Sequence, residues 1–438
     1  MIIRSLTRVY NDPLIKNSIF LMMSNIFSLI IGFFFWIVVA RYYTPQDIGS
    51  ISVILSGTAL ISIICTMGFP TALVFYLPRD PKNANRMINS CMIVSIAASA
   101  ILSLIWILRA DIWAPKLEIN KMYIMLFVIM SVIDATSTIM SGAFVAGRRS
   151  SFHMTKETVL NVVKIFPIVL LSGLGAMGIL LSWTIGMISA MIVGFILLYK
   201  LWKYLPTLTI DPIIKSMLGM STGNYVAGII GYIPKSLLPI IIANLVSTEA
   251  AGYFFISMTI ASVLNTVPQF IASSLLAESS KEDKLWNNVS KAIRFNICII
   301  FPGLLLFMIF GKFLLNIFNH NYAEYALSTL IILSITSIPL LLNNTYNAVR
   351  NSQKRVMSVV YNNIGVAGIT VILSILLVRV IGIEGAALAY LTANTVVAIT
   401  VVYKTKNPIE FILRLYREFV ADINMILENY NVKEHQKL

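Results

Sequence analysis

The stretch ARYYTPQDIG at residues 40–49 joins the end of one long apolar run to the start of the next. A second stretch, ANLVSTEAAG at residues 243–252, stands at the same kind of junction later in the chain. Three pairs of positions match at a constant offset of 203 residues: Ala40 with Ala243, Thr44 with Ser247, and Gly49 with Gly252. The match predicts that the chain builds one corner twice and therefore contains an internal repeat.

The composition around these corners is that of a membrane protein. Hydrophobic residues make up 58% of the chain and charged residues 12%, whereas soluble domains are about 45–50% apolar and about 25% charged. Runs without a strong charge, such as 17–40, 49–78 and 386–403, are long enough to cross a bilayer as helices. The sequence therefore predicts an all-α polytopic membrane protein and excludes an ordinary soluble domain.

Apolar runs separated by polar, glycine or proline breaks predict twelve transmembrane helices. They lie near residues 18–40, 49–77, 88–108, 121–146, 157–172, 176–199, 214–246, 250–277, 292–318, 324–348, 356–379 and 383–403. At the two corners, Thr44 and Ser247 are suited to cap the helices that follow them. Asp47 stands three residues after Thr44 and predicts a capping box.

The distribution of lysine and arginine predicts the orientation of these helices. The two ends and the loops on one side carry 25 of these residues, and the opposite loops carry 6. Because cytoplasmic loops hold the excess of positive charge, we expect both termini in the cytoplasm of a cell membrane. The net charge of +14 then faces anionic membrane lipids. It is spread over many short loops, so nucleic acid is not a predicted partner.

A second pair of matching segments supports the repeat. GLGAMGIL contains Gly175 and Gly178, and VIGIEGAALAY contains Gly382 and Gly385 at an offset of 207 residues. Both segments connect the last two predicted helices of their half of the chain. We therefore predict that the chain contains two homologous halves of six helices each.

The internal repeat divides the chain into three predicted parts. Residues 1–203 form an amino-terminal six-helix lobe, residues 204–406 a carboxyl-terminal six-helix lobe, and residues 407–438 an amphipathic tail. Because six is an even number, both lobes cross the membrane in the same sense, as in transporters built from parallel repeats. The tail has apolar residues every three or four positions, which is typical of a helix on the inner membrane surface.

Three motifs of the chain resemble those of a known family. The corner ARYYTPQDIGSISV, the loop GRRSSFH and the turn GIEGAALAY resemble the oligosaccharide flippases of polysaccharide biosynthesis. Their superfamily also contains multidrug extruders and lipid II flippases. The resemblance implies two lobes around a central cavity and alternating access. It also implies an oligosaccharide cargo linked to undecaprenyl or dolichyl diphosphate, and possible contact with glycosyltransferases or the polymerase of the same pathway.

Three charged residues inside the predicted spans are candidates for function. Lys235 stands in the middle of the seventh, between glycines and prolines that predict a bent helix beside a water-filled cavity. A charge at the bilayer centre costs about 2.5–3.5 kcal/mol, so Lys235 is a candidate ligand for diphosphate. Lys164 is a second candidate, although it could also reach the inner surface or pair with Asp134. Asp134 could carry a coupling ion or serve as that partner.

Five further residues are weaker candidates for substrate binding. Arg41 and Arg379 end predicted spans on the outer side, where they could anchor the helices or grip phosphate as the cavity opens. The seventh span carries Asn224, Tyr225 and Tyr232 as well as Lys235. Their spacing places the two tyrosines near the face of the helix that carries Lys235. They could form a platform for sugar or simply pack.

Two other functions compete with the flippase. A cation-coupled multidrug extruder of the same superfamily needs acidic groups in its cavity, and the first, second, seventh and eighth predicted spans contain no Asp or Glu. A polytopic enzyme needs a catalytic set, and the longest outer loop, near 109–121, is short. The three cysteines lie in apolar runs without metal-ligand spacing. We therefore predict an anion-carrying flippase that is not an enzyme and uses neither cofactor nor metal.

Overall fold

The computed structural model describes residues 13–115, 120–278 and 285–403. The helices of the first half are α1 (Pro13–Tyr42), α2 (Pro45–Cys65), α3 (Phe69–Tyr76), α4 (Ala84–Leu108), α5 (Ala110–Trp113), α6 (Lys121–Ala146), α7 (Ser150–Val163), α8 (Ile165–Leu170) and α9 (Ala176–Trp202). Those of the second half are α10 (Ile214–Leu245), α11 (Thr248–Asn265), α12 (Val267–Glu278), α13 (Leu285–Phe318), α14 (His320–Tyr325), α15 (Leu327–Ile335), α16 (Ser337–Ser352) and α17 (Val356–Tyr403). The tail at 407–438, predicted to be amphipathic, lies outside the described residues.

Ten helical stretches among these residues are long and apolar enough to cross a membrane, which confirms an all-helical, multi-pass membrane protein. The difference from the twelve predicted spans arises at two places. The predicted span 157–172 is divided between α7 and α8 and is not one of the ten. The predicted spans 356–379 and 383–403 form the single helix α17, whose backbone is non-helical at Ile381 and Gly382.

Several predicted spans are broken within the membrane-crossing region. The predicted span 49–77 is interrupted between α2 and α3, where Gly68 adopts a left-handed backbone conformation with φ of 75°. Pro70 follows in the first turn of α3. Pro268 and Pro339 likewise stand in the first turns of α12 and α16, just after breaks. Proline lacks the amide hydrogen and clashes with the preceding turn, so these breaks are encoded locally.

Burial separates central helices from those that face lipid. In α2, 67% of the residues that would span the membrane are buried, against 17% in the segment Val289–Phe318 of α13. Large apolar side chains at the periphery are exposed, for example Leu170 and Ile309. In lipid such exposure carries no hydrophobic cost, because the surrounding chains are equally apolar. The central helix α2 packs against α6 of its own half and against α10 and α11 of the other.

The two matching corners cap their helices as predicted. The Thr44 side chain accepts a hydrogen bond from the amide of Asp47 at 3.1 Å, and the Asp47 carboxylate accepts one from the amide of Thr44 at 3.0 Å. This confirms the capping box at the start of α2. At the start of α11, the Ser247 hydroxyl accepts a hydrogen bond from the amide of Ala250 at 3.0 Å. The Asp47 carboxylate also accepts from the amide of Ala176 at 2.8 Å, which ties the corner to α9.

The corners also touch each other. A β-carbon on Gly49 would lie 1.6 Å from the carbonyl oxygen of Thr248 and 2.8 Å from the amide nitrogen of Gly252. A β-carbon on Gly252 would lie 2.0 Å from the carbonyl oxygen of Pro45. The starts of α2 and α11 therefore cross with their backbones in contact, and only glycine fits at the crossing.

The second matching pair has equivalent backbone geometry. Gly175 has φ of 55° and ψ of −140°, and Gly382 has φ of 63° and ψ of −138°. These angles are accessible essentially to glycine alone. A β-carbon on Gly178 would lie 2.1 Å from the oxygen of Leu171, and one on Gly385 would lie 2.5 Å from the oxygen of Leu377. Each glycine pair thus lets a helix start tightly against the end of the preceding helix.

Candidate functional site

The first of two cavities of interest lies within the first half and is called the amino-terminal cavity. It has a volume of about 350 Å³ and is bordered by α1, α6, α7 and α9, with α11 contributing from the second half. Its lining includes Asp134, Glu157 and Lys164 together with Trp36 and Trp183. Acidic, basic and aromatic groups therefore share one cavity.

Lys164 lies at the break between α7 and α8 and is buried. Its ammonium group is 3.8 Å from the ring centre of Trp183 and 4.6 Å from that of Phe35, which stabilises the charge by cation–π attraction. Because α7 begins at Ser150, Lys164 stands about 21 Å along the helix axis at 1.5 Å per residue. It therefore stands farther from the start of its helix than the predicted span start near residue 157 implied, and whether its ammonium reaches the inner surface stays a prediction.

Asp134 shares the cavity with Lys164 without forming an ion pair with it. The ion pairs within 4.0 Å among the described residues do not include this one. Ser62 of α2 instead lies close to the Asp134 carboxylate. The role of Asp134 in ion coupling stays a prediction.

A buried charge network that the sequence did not reveal lies beside Asp134. Lys156 is buried, and its ammonium group donates to the Ser137 carbonyl at 2.8 Å and to the Ser141 hydroxyl at 2.8 Å. It also pairs with Glu157 at 3.1 Å. The predicted span begins at residue 157 and leaves Lys156 in a basic loop, whereas α7 begins at Ser150 and includes this lysine. Since Lys156 is fully partnered, it stabilises the packing of α6 against α7.

The second cavity lies within the second half and is called the carboxyl-terminal cavity. It has a volume of about 260 Å³ and is lined by Lys235 and Tyr232 of α10, with residues of α11, α12, α16 and α17. Among the described lining residues, Lys235 is the one charged side chain. The lysine is solvent-accessible, and no described residue forms an ion pair or hydrogen bond with its ammonium group. The cavity therefore presents an unneutralised positive charge in the middle of α10.

The rest of this lining is rich in amide side chains. Seven asparagines and one glutamine face the cavity. They are Asn265 and Gln269 before and after the α11–α12 break, Asn343, Asn344 and Asn347 on α16, and Asn362, Asn363 and Asn394 on α17. We call these eight residues the amide cluster. It combines neutral donors and acceptors of hydrogen bonds with the single cation.

Hydrogen bonds within the amide cluster hold the second-half helices together. Asn343 donates to the carbonyl of Asn394 at 3.1 Å, and Asn362 donates to the side chain of Asn347 at 3.0 Å. Asn363 donates to the carbonyl of Ala227 at 2.8 Å and so links α17 to α10. The cluster is thus ordered by its own contacts while part of its polar surface stays open to the cavity.

The remaining predicted site residues lie apart or in other environments. Tyr232 lines the carboxyl-terminal cavity. Tyr225 donates its hydroxyl to the carbonyl of Ile64 on α2, and Asn224 is exposed; neither lines the described cavity. Arg41 and Arg379 are exposed near helix ends and line neither cavity.

The sequence carries a signal for the amide cluster. LLNNTYN at 341–347 and YNNIG at 361–365 place paired asparagines inside predicted apolar spans. An amide in a membrane helix is costly unless it is hydrogen-bonded. Such pairs therefore indicate either a helix contact or a polar cavity, and only the assembled fold distinguishes the two.

Comparison with solved structures identifies the fold. The chain matches the lipid II flippase MurJ in an inward closed conformation with a TM-score of 0.73, 16% identity, and coverage of 93% of this chain and 92% of that one. It matches an inward-facing multidrug resistance MATE family transporter with a TM-score of 0.69, 14% identity, and coverage of 89% and 95%. A MOP superfamily transporter from Pyrococcus furiosus matches with a TM-score of 0.64, 13% identity, and coverage of 93% and 97%. At these identities the matches show the fold alone.

Comparison at the level of sequence identifies the family. A search of curated proteins finds no match. The family model described as "Polysaccharide biosynthesis protein" matches residues 38–327, well over half of the chain. This confirms the family resemblance: the corner and the loop GRRSSFH lie within the matched residues, and the turn GIEGAALAY lies beyond them. The chain therefore belongs to the polysaccharide biosynthesis protein family and has the fold of MOP superfamily transporters.

Proposed function

We propose that the protein is a flippase that moves a lipid-diphosphate-linked oligosaccharide across the cytoplasmic membrane by alternating access. The lipid carrier is undecaprenyl or dolichyl diphosphate, and the cargo is used for surface polysaccharide or glycan synthesis. Glycosyltransferases or a polymerase of the same pathway are its proposed partners. The transport step breaks no covalent bond, so we propose that the protein is not an enzyme.

The observation that carries this proposal is the unneutralised charge of Lys235. A lysine in the middle of α10 that faces a cavity without a carboxylate among its described lining residues favours an anionic ligand. Coulomb attraction in such a partly dry space is much less screened than in water. A diphosphate, with at least two negative charges next to the sugar, suits this site.

The proposed architecture is two six-helix lobes, 1–203 and 204–406, with twelve spans. It is supported by the touching corners at Gly49 and Gly252 and by the equivalent angles of Gly175 and Gly382. Counting the two segments of α17 separately, and α7 with α8 as one span, brings the ten stretches to twelve. In alternating access the crossing of α2 and α11 would have to open and close in each cycle.

The direct test is transport by the purified protein. A fluorescent lipid-diphosphate-linked oligosaccharide is reconstituted with the full chain in liposomes, and a membrane-impermeant reductant reports the label that has reached the outer leaflet. We expect transfer well above that of protein-free liposomes. In parallel, the gene should restore surface glycan to a strain lacking its own flippase. Transfer equal to that of empty liposomes, with correctly inserted protein, would contradict the proposal.

The charge distribution predicts the topology, with both termini and the segment around Lys82 in the cytoplasm and the segment around Asp111 outside. We expect Asp111→Cys, and not Lys82→Cys, to react with an impermeant thiol reagent on intact cells in a cysteine-free background. Both side chains are exposed, so access is set by the membrane. Permeabilised cells provide the control in which both react. The reverse labelling pattern would overturn the orientation.

A cation-coupled multidrug extruder is the second candidate, because Asp134 and Glu157 place two carboxylates in the amino-terminal cavity. Under the flippase proposal, overproduction in an efflux-deficient host leaves resistance to cationic dyes and drugs unchanged. Asp134→Asn then has no effect on drug resistance. If Asp134 couples ions to glycan transport, the same variant lowers export several-fold. A reproducible rise in drug resistance that Asp134→Asn abolishes would favour the extruder.

A further inference from the structure

We propose that the amide cluster is the sugar-binding chamber of the carrier and holds the first sugar of the cargo beside the diphosphate at Lys235. The inference rests on the proposed function and deepens it. It assigns the neutral and the charged groups of one cavity to two parts of the same ligand. The amide cluster binds sugar hydroxyl or acetamido groups, and Lys235 binds phosphate.

The open polar surface of the cluster shows which chemistry the ligand must supply. The side chains of Asn344, Asn347 and Asn363 line the cavity and are only partly buried. The side-chain oxygens of Asn343 and Asn265 also lack a hydrogen-bond partner, but they have no surface open to the cavity. Amide groups at the cavity wall need both donors and acceptors from a ligand.

This requirement distinguishes sugar from phosphate. An ionised diphosphate carries acceptors only and cannot satisfy a carbonyl oxygen. A sugar hydroxyl both donates and accepts, and an acetamido group offers one N–H and one carbonyl. The side chain of Asn344 adds a donor and an acceptor that no described residue engages. The cluster is therefore matched to the sugar and Lys235 to the phosphate.

The shape of the cavity agrees with one sugar residue. Its volume of about 260 Å³ is just below the usual range of about 300–1,000 Å³ for ligand pockets. Tyr232 and Tyr390 also line it, and aromatic rings can pack against the apolar face of a sugar ring. We infer that the chamber takes the first sugar and leaves the remainder of the oligosaccharide in the space between the two halves.

The experiment compares lipids with and without a sugar. The full-length protein in lipid nanodiscs is titrated with three probes: undecaprenyl diphosphate, its glucosyl derivative and its N-acetylglucosaminyl derivative. We expect the wild type to bind at least one glycosylated probe about tenfold or more tightly than the bare lipid. Asn344→Leu keeps the side-chain volume close and breaks no described hydrogen bond. It should reduce that sugar-dependent gain by threefold to tenfold and leave the bare lipid within twofold.

Three further variants separate the possible explanations. Asn344→Ala should reduce the sugar-dependent gain as well. Lys235→Ala should weaken binding of all three probes to a similar extent, because each carries the diphosphate. Asn321→Leu, an exposed amide on α14, is the matched control and should leave all three affinities unchanged. Melting temperatures show that each variant is folded.

Two results would overturn the inference, and they are distinguishable from failure of the proposed function. Equal binding of bare and glycosylated lipids by the wild type would contradict the sugar chamber and leave the flippase standing. The same holds if Asn344→Leu and Asn344→Ala, both folded, keep the full sugar-dependent gain. If none of the three probes binds and Lys235→Ala leaves export unchanged, the proposed function and the inference are both contradicted.

Discussion

Lys235→Ala is expected to reduce surface glycan export to below about one tenth of the wild-type level. A hydrogen bond to a charged group is worth about 1.5–3 kcal/mol, and Lys235 has no described carboxylate near it whose charge would be left unpaired by the change. The variant should therefore lose cargo binding without losing its fold. Lys235→Glu should be worse than Lys235→Ala, because it places a negative charge where the diphosphate binds.

Conservative and control variants sharpen this expectation. Lys235→Arg should retain part of the export, since arginine also pairs with phosphate but in a different geometry. Lys215→Ala, at the start of the same helix and outside the described cavity lining, should export normally. The measurement is surface glycan in a strain lacking its own flippase, with membrane abundance recorded alongside. Normal export by Lys235→Ala and Lys235→Glu at normal abundance would show that the lysine is structural.

Gly49→Ala is expected to abolish export by keeping the two corners apart. The added methyl group would lie 1.6 Å from the carbonyl oxygen of Thr248, so the starts of α2 and α11 must separate by about a van der Waals contact. Overpacking of this kind typically costs about 1–3 kcal/mol, which a large membrane bundle can tolerate. We therefore expect a folded protein with a lowered melting temperature that cannot close at this crossing.

Labelling tests the cause of that loss. A cysteine at Lys235, in a cysteine-free background, should become more reactive from outside when Gly49→Ala is present. Gly368→Ala on α17 is the matched control, because a β-carbon there has no atom within 4 Å. It should leave export and labelling unchanged. Export by Gly49→Ala equal to that of Gly368→Ala would contradict a role for the crossing in closure.

The sequence by itself determined the class of the protein and much of its local structure. Apolar composition and run length are sufficient for a helical membrane protein, because a chain in lipid must satisfy its backbone hydrogen bonds internally. The capping box at Thr44 and Asp47 follows from spacing alone, and the glycines at 175 and 382 indicated tight connections. These features depend on neighbours within a few residues, so one sequence contains the information.

The tertiary structure decided which of the charged and polar residues share a cavity. Lys164 and Asp134 both lie in apolar spans, and the sequence left open whether they pair. The fold seats Lys164 against Trp183 and brings Ser62 to Asp134. Lys156 was expected in a loop, but an earlier helix start buries it between Ser137 and Glu157. Each of these outcomes depends on the position of a second helix, which local spacing does not encode.

The amide cluster is the clearest case in which the sequence supplies the groups and the tertiary structure brings them together. Two pairs of its asparagines, at 343–344 and 362–363, stand more than 100 residues after Lys235 in the sequence. Only the packing of α10 against α17, and of α17 against α16, places them around one cavity with that lysine. The corners are a second example. The match of Gly49 with Gly252 is present in the sequence, but only the structure shows that the two corners touch. The sequence determines which groups are available, and long-range packing determines which of them meet, because that choice depends on how whole helices pack together.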